Sequence, residues 1–355
     1  MKQQHDIATP WVIGIAVFLA MAFLAVVALF GLPFILQRMN DDLPGNVDGD
    51  PSSPVMFQLP GTGPAIQYGG VPVHDACSLV TMSGLSSLGA RLSRDHAVMH
   101  SHLAGDVPLA ASAASGSSAA STCAYTLWGH EVVNVSVHQT PFNTTASLTR
   151  LVDQATVLGS PVRSSSGLSI ASWHEEVSEH LVIWNADLVV SISLQTKDST
   201  GAFTIDALMS NLEPLVLSRI SSGPTAPMRH AYGSPSNNVK DPCTIANADA
   251  YTAAFPSSDG SASIVDGFYP LFAPIPESEA GRGNARRVEL SCKRSNIADS
   301  GQRRTLQVDL VVWDRPEAAA RHHRKAPGSF LTDNVSVTVS DVNAAQVIRS
   351  AGVFR

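Results

Sequence analysis

Two stretches of the chain share one cysteine-containing pattern, and this duplication constrains the fold more than any other feature of the sequence. Residues 73–79 read VHDACSL and residues 239–245 read VKDPCTI, so both fit V-[HK]-D-[AP]-C-[ST]-[LI]. A residue of a helix-capping type follows each cysteine, Thr81 in the first stretch and Asn247 in the second. We therefore expect two copies of one fold, each opening on a short capped helix.

The pattern continues downstream of each opening. Cys123 is followed by an alternating run over residues 133–137, and Cys292 by a similar run over 306–310. Alternation with period two predicts half-buried strands. The first copy then predicts a hairpin and a closing helix, and the shorter second copy predicts a late strand and a final helix. The respective ranges are 181–184 with 188–194, 203–216, 335–339 and 342–350.

The four cysteines divide equally between the copies. A bond within each copy lets both copies fold alike, so the duplication predicts the disulfides Cys77–Cys123 and Cys243–Cys292. The alternative is four buried free thiols. Because disulfides persist in oxidising compartments, the pairing also predicts an extracytoplasmic location.

An uncharged apolar run lies near the N-terminus, over residues 11–36. A helix of this length exceeds the roughly 30 Å hydrocarbon core of a bilayer. A cleavable signal peptide would need a shorter core followed by small residues, whereas here the sequence QRMNDD follows. We therefore expect a transmembrane helix over 11–37 and a single-pass protein of the cell membrane, with its N-terminus in the cytoplasm and the bulk of the chain outside.

These observations predict the organisation of the whole chain. The expected fold class is α+β: an N-terminal transmembrane helix followed by two tandem, disulfide-closed α/β sandwich-like domains. The Pro- and Gly-rich segments predict a stalk and a linker between folded parts. The expected boundaries are a cytoplasmic tail 1–10, the helix 11–37, a stalk 38–70, a first ectodomain 71–222, a linker 223–238 and a second ectodomain 239–355.

The D-[AP]-C-[ST]-[LI] opening, the short capped helix and the second cysteine before a strand resemble actinobacterial cell-envelope domains. That family is dominated by lipoproteins of unknown function, and the resemblance covers both copies. It implies extracytoplasmic binding or scaffolding. Two features depart from it: Arg294 stands where the first copy has the aromatic Tyr125, and a membrane helix replaces the lipid-anchor cysteine.

Histidines suggest two sites. His96, His100 and His102 are weak candidates for a metal site, with a solvated loop as the favoured interpretation. The segment 174–180, HEEVSEH, fails the spacing of both H-E-x-x-H and H-x-x-E-H, because Ser178 and Glu176 stand where histidine is required. No catalytic residue, cofactor or phosphate-binding loop is predicted.

Arginines concentrate in the second copy, where Arg286, Arg287, Arg303 and Arg304 are candidates for a surface that binds an anionic lipid or wall polymer. The favoured interpretation is solvated loops that balance nearby acids. The net charge of −7 argues against nucleic acid as a partner.

The expected function is a membrane-anchored extracytoplasmic binding or scaffold protein. It would be an accessory subunit or sensor-like module of a cell-envelope complex, with a protein partner there. The alternatives are a hydrolase acting on envelope material and a carrier of a small apolar ligand. A nucleophile and base within hydrogen-bond reach would favour the hydrolase, and a deep apolar cavity would favour the carrier.

Overall fold

β-Strands with alternating buried and exposed side chains account for most of the regular structure in the computed structural model of the chain. The structure describes residues 56–90, 97–107, 118–127, 132–159, 161–195, 205–232, 239–257, 263–270, 287–296, 303–313 and 315–352. All of them belong to one compact unit.

The first copy and the segments that flank it contain these elements: β1 Met56–Leu59, β2 Gln67–Tyr68, β3 Val71–Pro72, α1 Ala76–Leu79, α2 Met82–Ser87, β4 Ala97–Leu103, β5 Ser121–Thr126, β6 Val132–Gln139, α3 Thr145–Leu158, β7 Arg163–Ser165, β8 Leu168–Glu175, β9 Ser178–Trp184, β10 Leu188–Gln195, α4 Ile205–Ser221 and β11 Arg229–Tyr232. The second copy contains α5 Pro242–Ile245, α6 Ala248–Ala254, β12 Ser263–Pro270, β13 Arg287–Asn296, β14 Thr305–Trp313, α7 Pro316–His322, β15 Ser329–Thr332, β16 Val335–Val339 and α8 Val342–Ser350.

One antiparallel sheet of twelve strands runs through both copies in the order β15-β16-β14-β13-β12-β4-β5-β6-β10-β9-β8-β7. The first strands of the two copies, β4 and β12, pair with each other along their length. His100 lies opposite Gly267 there, and these residues also lie opposite the second cysteine of their own copy, Cys123 and Cys292. The copies are therefore related by a local pseudo-two-fold axis that passes through the His100–Gly267 pair.

Helices cover both faces of this sheet, but unequally. The main core joins one face to α1, α2 and α4 in the first copy and to α5, α6 and α8 in the second. On the opposite face, α3 packs against Val182 and Trp184, and α7 packs against Trp313. Strand alternation explains the division, since Leu181 and Ile183 of the same strand β9 point into the main core.

The expected fold class is therefore wrong. The described chain forms one predominantly antiparallel sheet layered by helices, not two sandwich-like domains, and none of its helices is long and apolar enough to cross a membrane. The range predicted as a transmembrane helix, 11–37, lies outside the described residues. The physical reason for the single sheet is that each copy would otherwise leave its first strand as an unpaired edge.

Two predicted connecting segments also contain strands. Met56–Leu59 lies in the range predicted as a stalk, and Arg229–Tyr232 lies in the predicted linker; they pair with each other as β1 and β11. The domain boundaries themselves remain predictions.

Both predicted disulfides are present, Cys77–Cys123 and Cys243–Cys292, each with 5.1 Å between its Cα atoms. The first bond joins α1 to β5, and the second joins α5 to β13. In each copy this strand is the neighbour of the strand on the pseudo-two-fold axis, β4 or β12. The predicted caps are confirmed as well: Thr81 and Asn247 accept hydrogen bonds at the starts of α2 and α6.

Candidate functional site

Polar side chains gather beside the pseudo-two-fold axis, where the two copies meet. We call Asp75, His100, His102, His230, Asp241 and Tyr269 the central cluster. Asp75 and Asp241 come from the repeated motif and cap α1 and α5, because a carboxylate directly before a helix accepts its free N–H groups. The remaining members come from β4, β11 and β12.

Asp75 is fully buried and surrounded by donors. Five donor groups lie within hydrogen-bond distance of its carboxylate, including the Nε2 of His100 at 2.6 Å and the Oγ of Ser121 at 3.1 Å. Burial alone would raise the pKa of Asp75, but the charge and hydrogen bond of His100 outweigh it and hold this pKa well below its usual range. Asp75 is therefore a satisfied structural carboxylate.

Asp241 occupies the equivalent position in the second copy but has fewer donors. Its Oδ1 accepts hydrogen bonds from the hydroxyl of Tyr269 at 2.7 Å and from the N–H of Cys243 at 2.8 Å. Within the described chain its Oδ2 has no partner in hydrogen-bond geometry. The Nδ1 of His230 lies 3.9 Å away, and the backbone N–H of His230 is near enough to the carboxylate to lower the pKa of Asp241. Burial raises the pKa of Asp241.

His230 lies directly behind Asp241. Its ring stacks on Tyr269 with 3.7 Å between centroids and meets the ring of His100 edge-on at 5.5 Å. Both ring nitrogens are buried, and neither has a hydrogen-bond partner in the described part of the chain. Burial, followed by the neighbouring His100, lowers the pKa of His230 well below its ordinary value, so the ring is neutral.

His102 lies on the same face of β4 as His100, with 4.7 Å between ring centroids. Its Nδ1 donates to the carbonyl oxygen of Leu103 at 2.7 Å. Since a carbonyl oxygen only accepts, the proton of the neutral ring is on Nδ1, and Nε2 is an acceptor. Burial lowers the pKa of His102 to about 4, which keeps the ring neutral near pH 7.

A cavity of about 900 Å³ adjoins the central cluster. Its wall combines residues of the first copy with the motif of the second. The lining residues that bear on the chemistry are Gln67, His102, Asp106, Arg229, Asp241 and Thr244. The size is that of a small-molecule site, and the polar groups reach it from both copies.

A second contact between the copies explains why Arg294 stands where the first copy has Tyr125. Tyr125 donates to the carbonyl of Val80 after α1, and Arg294 donates to the equivalent carbonyl of Ala246 after α5. Arg294 also forms an ion pair with Asp106 of the first copy at 2.7 Å. The change of residue therefore keeps the local contact and adds a bond between the copies.

The metal candidates are only partly brought together. His100 and His102 lie in strand β4, not in a loop as predicted, and His96 lies outside the described residues. No group of three or more metal-binding side chains is present among the described residues. The Asp75–His100 bond and the Leu103 carbonyl account for one nitrogen of each ring.

The predicted anion-binding arginines are separated by the β13–β14 hairpin. Arg287 lies at one end, paired with Glu289 at 2.8 Å and over the ring of Trp313. Arg303 and Arg304 lie at the other end, about 30 Å away for a strand of this length, and Arg303 is 3.8 Å from Asp266. Arg286 lies outside the described residues. The described arginines thus form no single patch.

Serine–histidine contacts do occur, but not in a hydrolytic arrangement. In the β8–β9 hairpin Ser178 Oγ is 2.9 Å from His180 Nε2, and Glu175 is 3.6 Å from that same nitrogen. A triad needs the carboxylate on the other ring nitrogen. In the central cluster Ser121 contacts the carboxylate of Asp75 rather than an imidazole.

Sequence reasoning missed most of the central cluster. The aspartate of the motif was visible as a repeated position, but only as part of a helix opening. Nothing in the local sequence around His230 or Tyr269 signals a site, because β11 and β12 meet the motif only through long-range packing.

Comparisons with protein-family models, with curated proteins and with solved structures gave no match. The relationship to actinobacterial envelope domains therefore remains a resemblance based on the repeated motif.

Proposed function

We propose that this chain is an extracytoplasmic binding protein that holds a small polar ligand in the cavity between its two copies. The observation that carries the proposal is the cavity wall, where Asp241 Oδ2 and His102 Nε2 present acceptors that the described protein leaves without a partner. Buried polar groups are normally satisfied, so such atoms at a cavity suit a ligand that supplies donors.

The location rests on the disulfides. Both bonds join buried or half-buried cysteines that hold a short helix against the sheet. Bonds of this structural kind persist outside the reducing cytoplasm. We therefore place the ligand on the extracytoplasmic side.

Three other functions have less support. A hydrolase would need a nucleophile, a base and a carboxylate joined in series by hydrogen bonds, and the described residues do not form this arrangement. A carrier of apolar ligands fits poorly with a cavity that carboxylates and an imidazole border. A scaffold would need a broad apolar surface, whereas the exposed Phe57 and Val157 lie on separate elements and the exposed Met99 and Phe268 form a single cross-strand pair.

The test is to identify what the cavity retains. The full chain would be produced with its disulfides in its native compartment, purified and denatured, and the released small molecules measured by mass spectrometry. Thr244→Trp should obstruct part of the cavity close to Asp241, because Thr244 is exposed, lines the cavity and donates to the carbonyl oxygen of Asp241. The matched control is Thr156→Trp on the exposed face of α3, away from the cavity.

We expect a compound that co-purifies with the natural protein and with Thr156→Trp, and is depleted in Thr244→Trp. Equal retention of the compound by all three proteins would reject the proposal. The proposal would also be rejected if the natural protein released no compound and its thermal stability did not change when a metabolite extract was added.

A further inference from the structure

The two motif aspartates differ in how far the protein satisfies them. Asp75 has five donor groups around both carboxylate oxygens. Among the described residues, two donors form hydrogen bonds with Asp241, and both bonds are to Oδ1. Since the two positions are equivalent in the repeat, the unused Oδ2 of Asp241 is a specific feature of the second copy and not a property of the fold.

A buried imidazole that has no hydrogen-bond partner among the described residues lies at the same place. The side chain of His230 has no exposed surface, and its Nδ1 lies 3.9 Å from Asp241 Oδ2, too far for a hydrogen bond. The ring is held there by stacking on Tyr269 and by the edge of His100. The protein therefore carries two adjacent polar groups that do not satisfy each other.

Among the described residues, no permanent cation forms an ion pair with Asp241. The charge of His100 lowers the pKa of Asp241 from a distance, but the ring is hydrogen-bonded to Asp75 at 2.6 Å. His102 and His230 are neutral, for the reasons given above. Arg294 is paired with Asp106. Arg229 also lines the cavity, but it is exposed, strand alternation directs its side chain away from the buried ring of the adjacent His230, and its Nε donates to the carbonyl oxygen of Pro60 at 3.4 Å.

Acceptors thus predominate on this side of the cavity: the carboxylate oxygen of Asp241 and the Nε2 of His102. A positively charged donor matches both their hydrogen-bonding capacity and the missing charge. A neutral hydroxyl would satisfy the hydrogen bonds but not the charge.

We propose that the cavity recognises a ligand through a protonated amino group, which donates to Asp241 Oδ2 and His102 Nε2. This inference rests on the proposed function and names the chemical class of the ligand. Binding should weaken as the pH falls, because protonated Asp241 carries no charge, and burial raises the pKa at which this happens.

The experiment compares matched probes on the full disulfide-bonded chain. Butylammonium, benzylammonium and protonated glycinamide would each be tested against its hydroxyl counterpart, namely butanol, benzyl alcohol and glycolamide. Ligand-observed saturation-transfer NMR detects weak binding, and titration gives the dissociation constants. Asp241→Asn removes the charge but keeps a good helix cap. Asp249→Asn makes the same charge change at an exposed position of α6 outside the cavity.

We expect at least one ammonium probe to bind and its alcohol to bind more weakly. Asp241→Asn should weaken the ammonium probe on the order of 10- to 100-fold, the range for one charge-assisted hydrogen bond, and Asp249→Asn should not. Should Asp241→Asn fail to fold, His102→Phe and the pH dependence of the natural protein provide the same comparison.

Equal affinity for alcohol and ammonium probes, or an unchanged affinity in a folded Asp241→Asn protein, would overturn the ammonium assignment while leaving a binding cavity in place. Absence of binding by every ammonium probe would also overturn it. The proposed function would fail separately, through the Thr244→Trp experiment.

Discussion

Arg294 is the largest fully buried side chain of the described residues, and its charge depends on one carboxylate. It is 2% exposed, and within the described residues its guanidinium is paired with Asp106, donates to the Ala246 carbonyl and lies over the ring of Tyr251. A buried charge that loses its partner is strongly destabilising, whereas replacing the whole pair with apolar groups is much less so. The losses of stability caused by removing Asp106 and by removing Arg294 should therefore be strongly non-additive.

We predict that Asp106→Ala lowers the free energy of unfolding by about 3 kcal/mol, and that adding Arg294→Met restores part of the loss. Urea unfolding of the single and double variants measures this coupling. Asp266→Ala is the control, since its partner Arg303 is exposed at 3.8 Å and the loss should stay below about 1 kcal/mol. Full additivity of Asp106→Ala and Arg294→Met would contradict the assigned pairing.

Buried histidines should make the protein sensitive to acid. Burial lowers the pKa of His74 and of His102 from 6.5 to about 4. Between these pH values the histidines bind protons in the unfolded chain but not in the folded protein. Their contribution to the free energy of unfolding is therefore fully present above pH 6.5 and declines as the pH falls towards about 4. Each histidine contributes a loss of about 3 kcal/mol across that window.

The prediction is that His102→Gln flattens the dependence of the unfolding free energy on pH over this range. Measurements above about pH 7.5 control for the cost of the substitution itself, because the histidine is then neutral in both states. A variant with the same slope as the natural protein would show that His102 does not titrate in this way.

Side-chain packing at the pseudo-two-fold axis depends on a glycine. Gly267 lies opposite His100 in the β4–β12 pair, and a Cβ at this position would overlap the ring of Tyr269. Tyr269 is buried and holds Asp241, so it cannot move without breaking that hydrogen bond. The small residue is therefore required by the packing of the cluster.

We expect Gly267→Ala to cost about 1–3 kcal/mol of stability, the usual range for overpacking. In a Tyr269→Ala background the overlapping ring is absent, so the same substitution should cost much less. Chemical unfolding of the four proteins gives the coupling; equal costs in both backgrounds would mean that Tyr269 is not the obstacle.

The disulfides attach the short helices to the sheet. Because α1 and α5 have only four residues each, they cannot be stable alone. Replacing both cysteines of one copy with alanine should lower the unfolding free energy by about 4 kcal/mol in the chain-entropy description. Non-reducing peptide mapping should yield Cys77–Cys123 and Cys243–Cys292, and a Cys77–Cys243 peptide would exclude the assignment.

Local patterns predicted the elements better than their assembly. The late strand at 335–339 and the final helix at 342–350 match β16 and α8, and the 181–194 hairpin matches β9 and β10. The prediction of a solvated loop was wrong at β4, because a histidine-rich segment looks polar in the sequence even where its side chains are buried. It also failed at the β4–β12 pairing, since strands so distant in sequence carry no local sign of each other. The central cluster was missed for the same reason.

At the scale of the whole molecule, the continuous sheet makes the two copies one structural body. Ladder pairing of β4 with β12 joins them, and three further contacts reinforce the junction: Arg294 with Asp106, the Ala248 N–H with Asp106, and the Tyr232 hydroxyl with the Pro270 carbonyl. The cavity and the central cluster both exist only where the copies meet. Binding and the integrity of this junction should therefore be coupled.

The final prediction tests that junction directly. A site for a sequence-specific protease would be inserted between residues 232 and 239, which separate β11 from α5. Because each disulfide lies within one copy, cleavage leaves no covalent bond between the halves. We expect the cleaved halves to co-elute on size exclusion and to unfold in one transition, since separation would expose two strand edges and the buried Arg294. Asp106→Ala should weaken the junction, so the cleaved variant should dissociate at a lower denaturant concentration than the cleaved natural protein. Two independent unfolding transitions, or separation of the halves without denaturant, would instead support two autonomous domains.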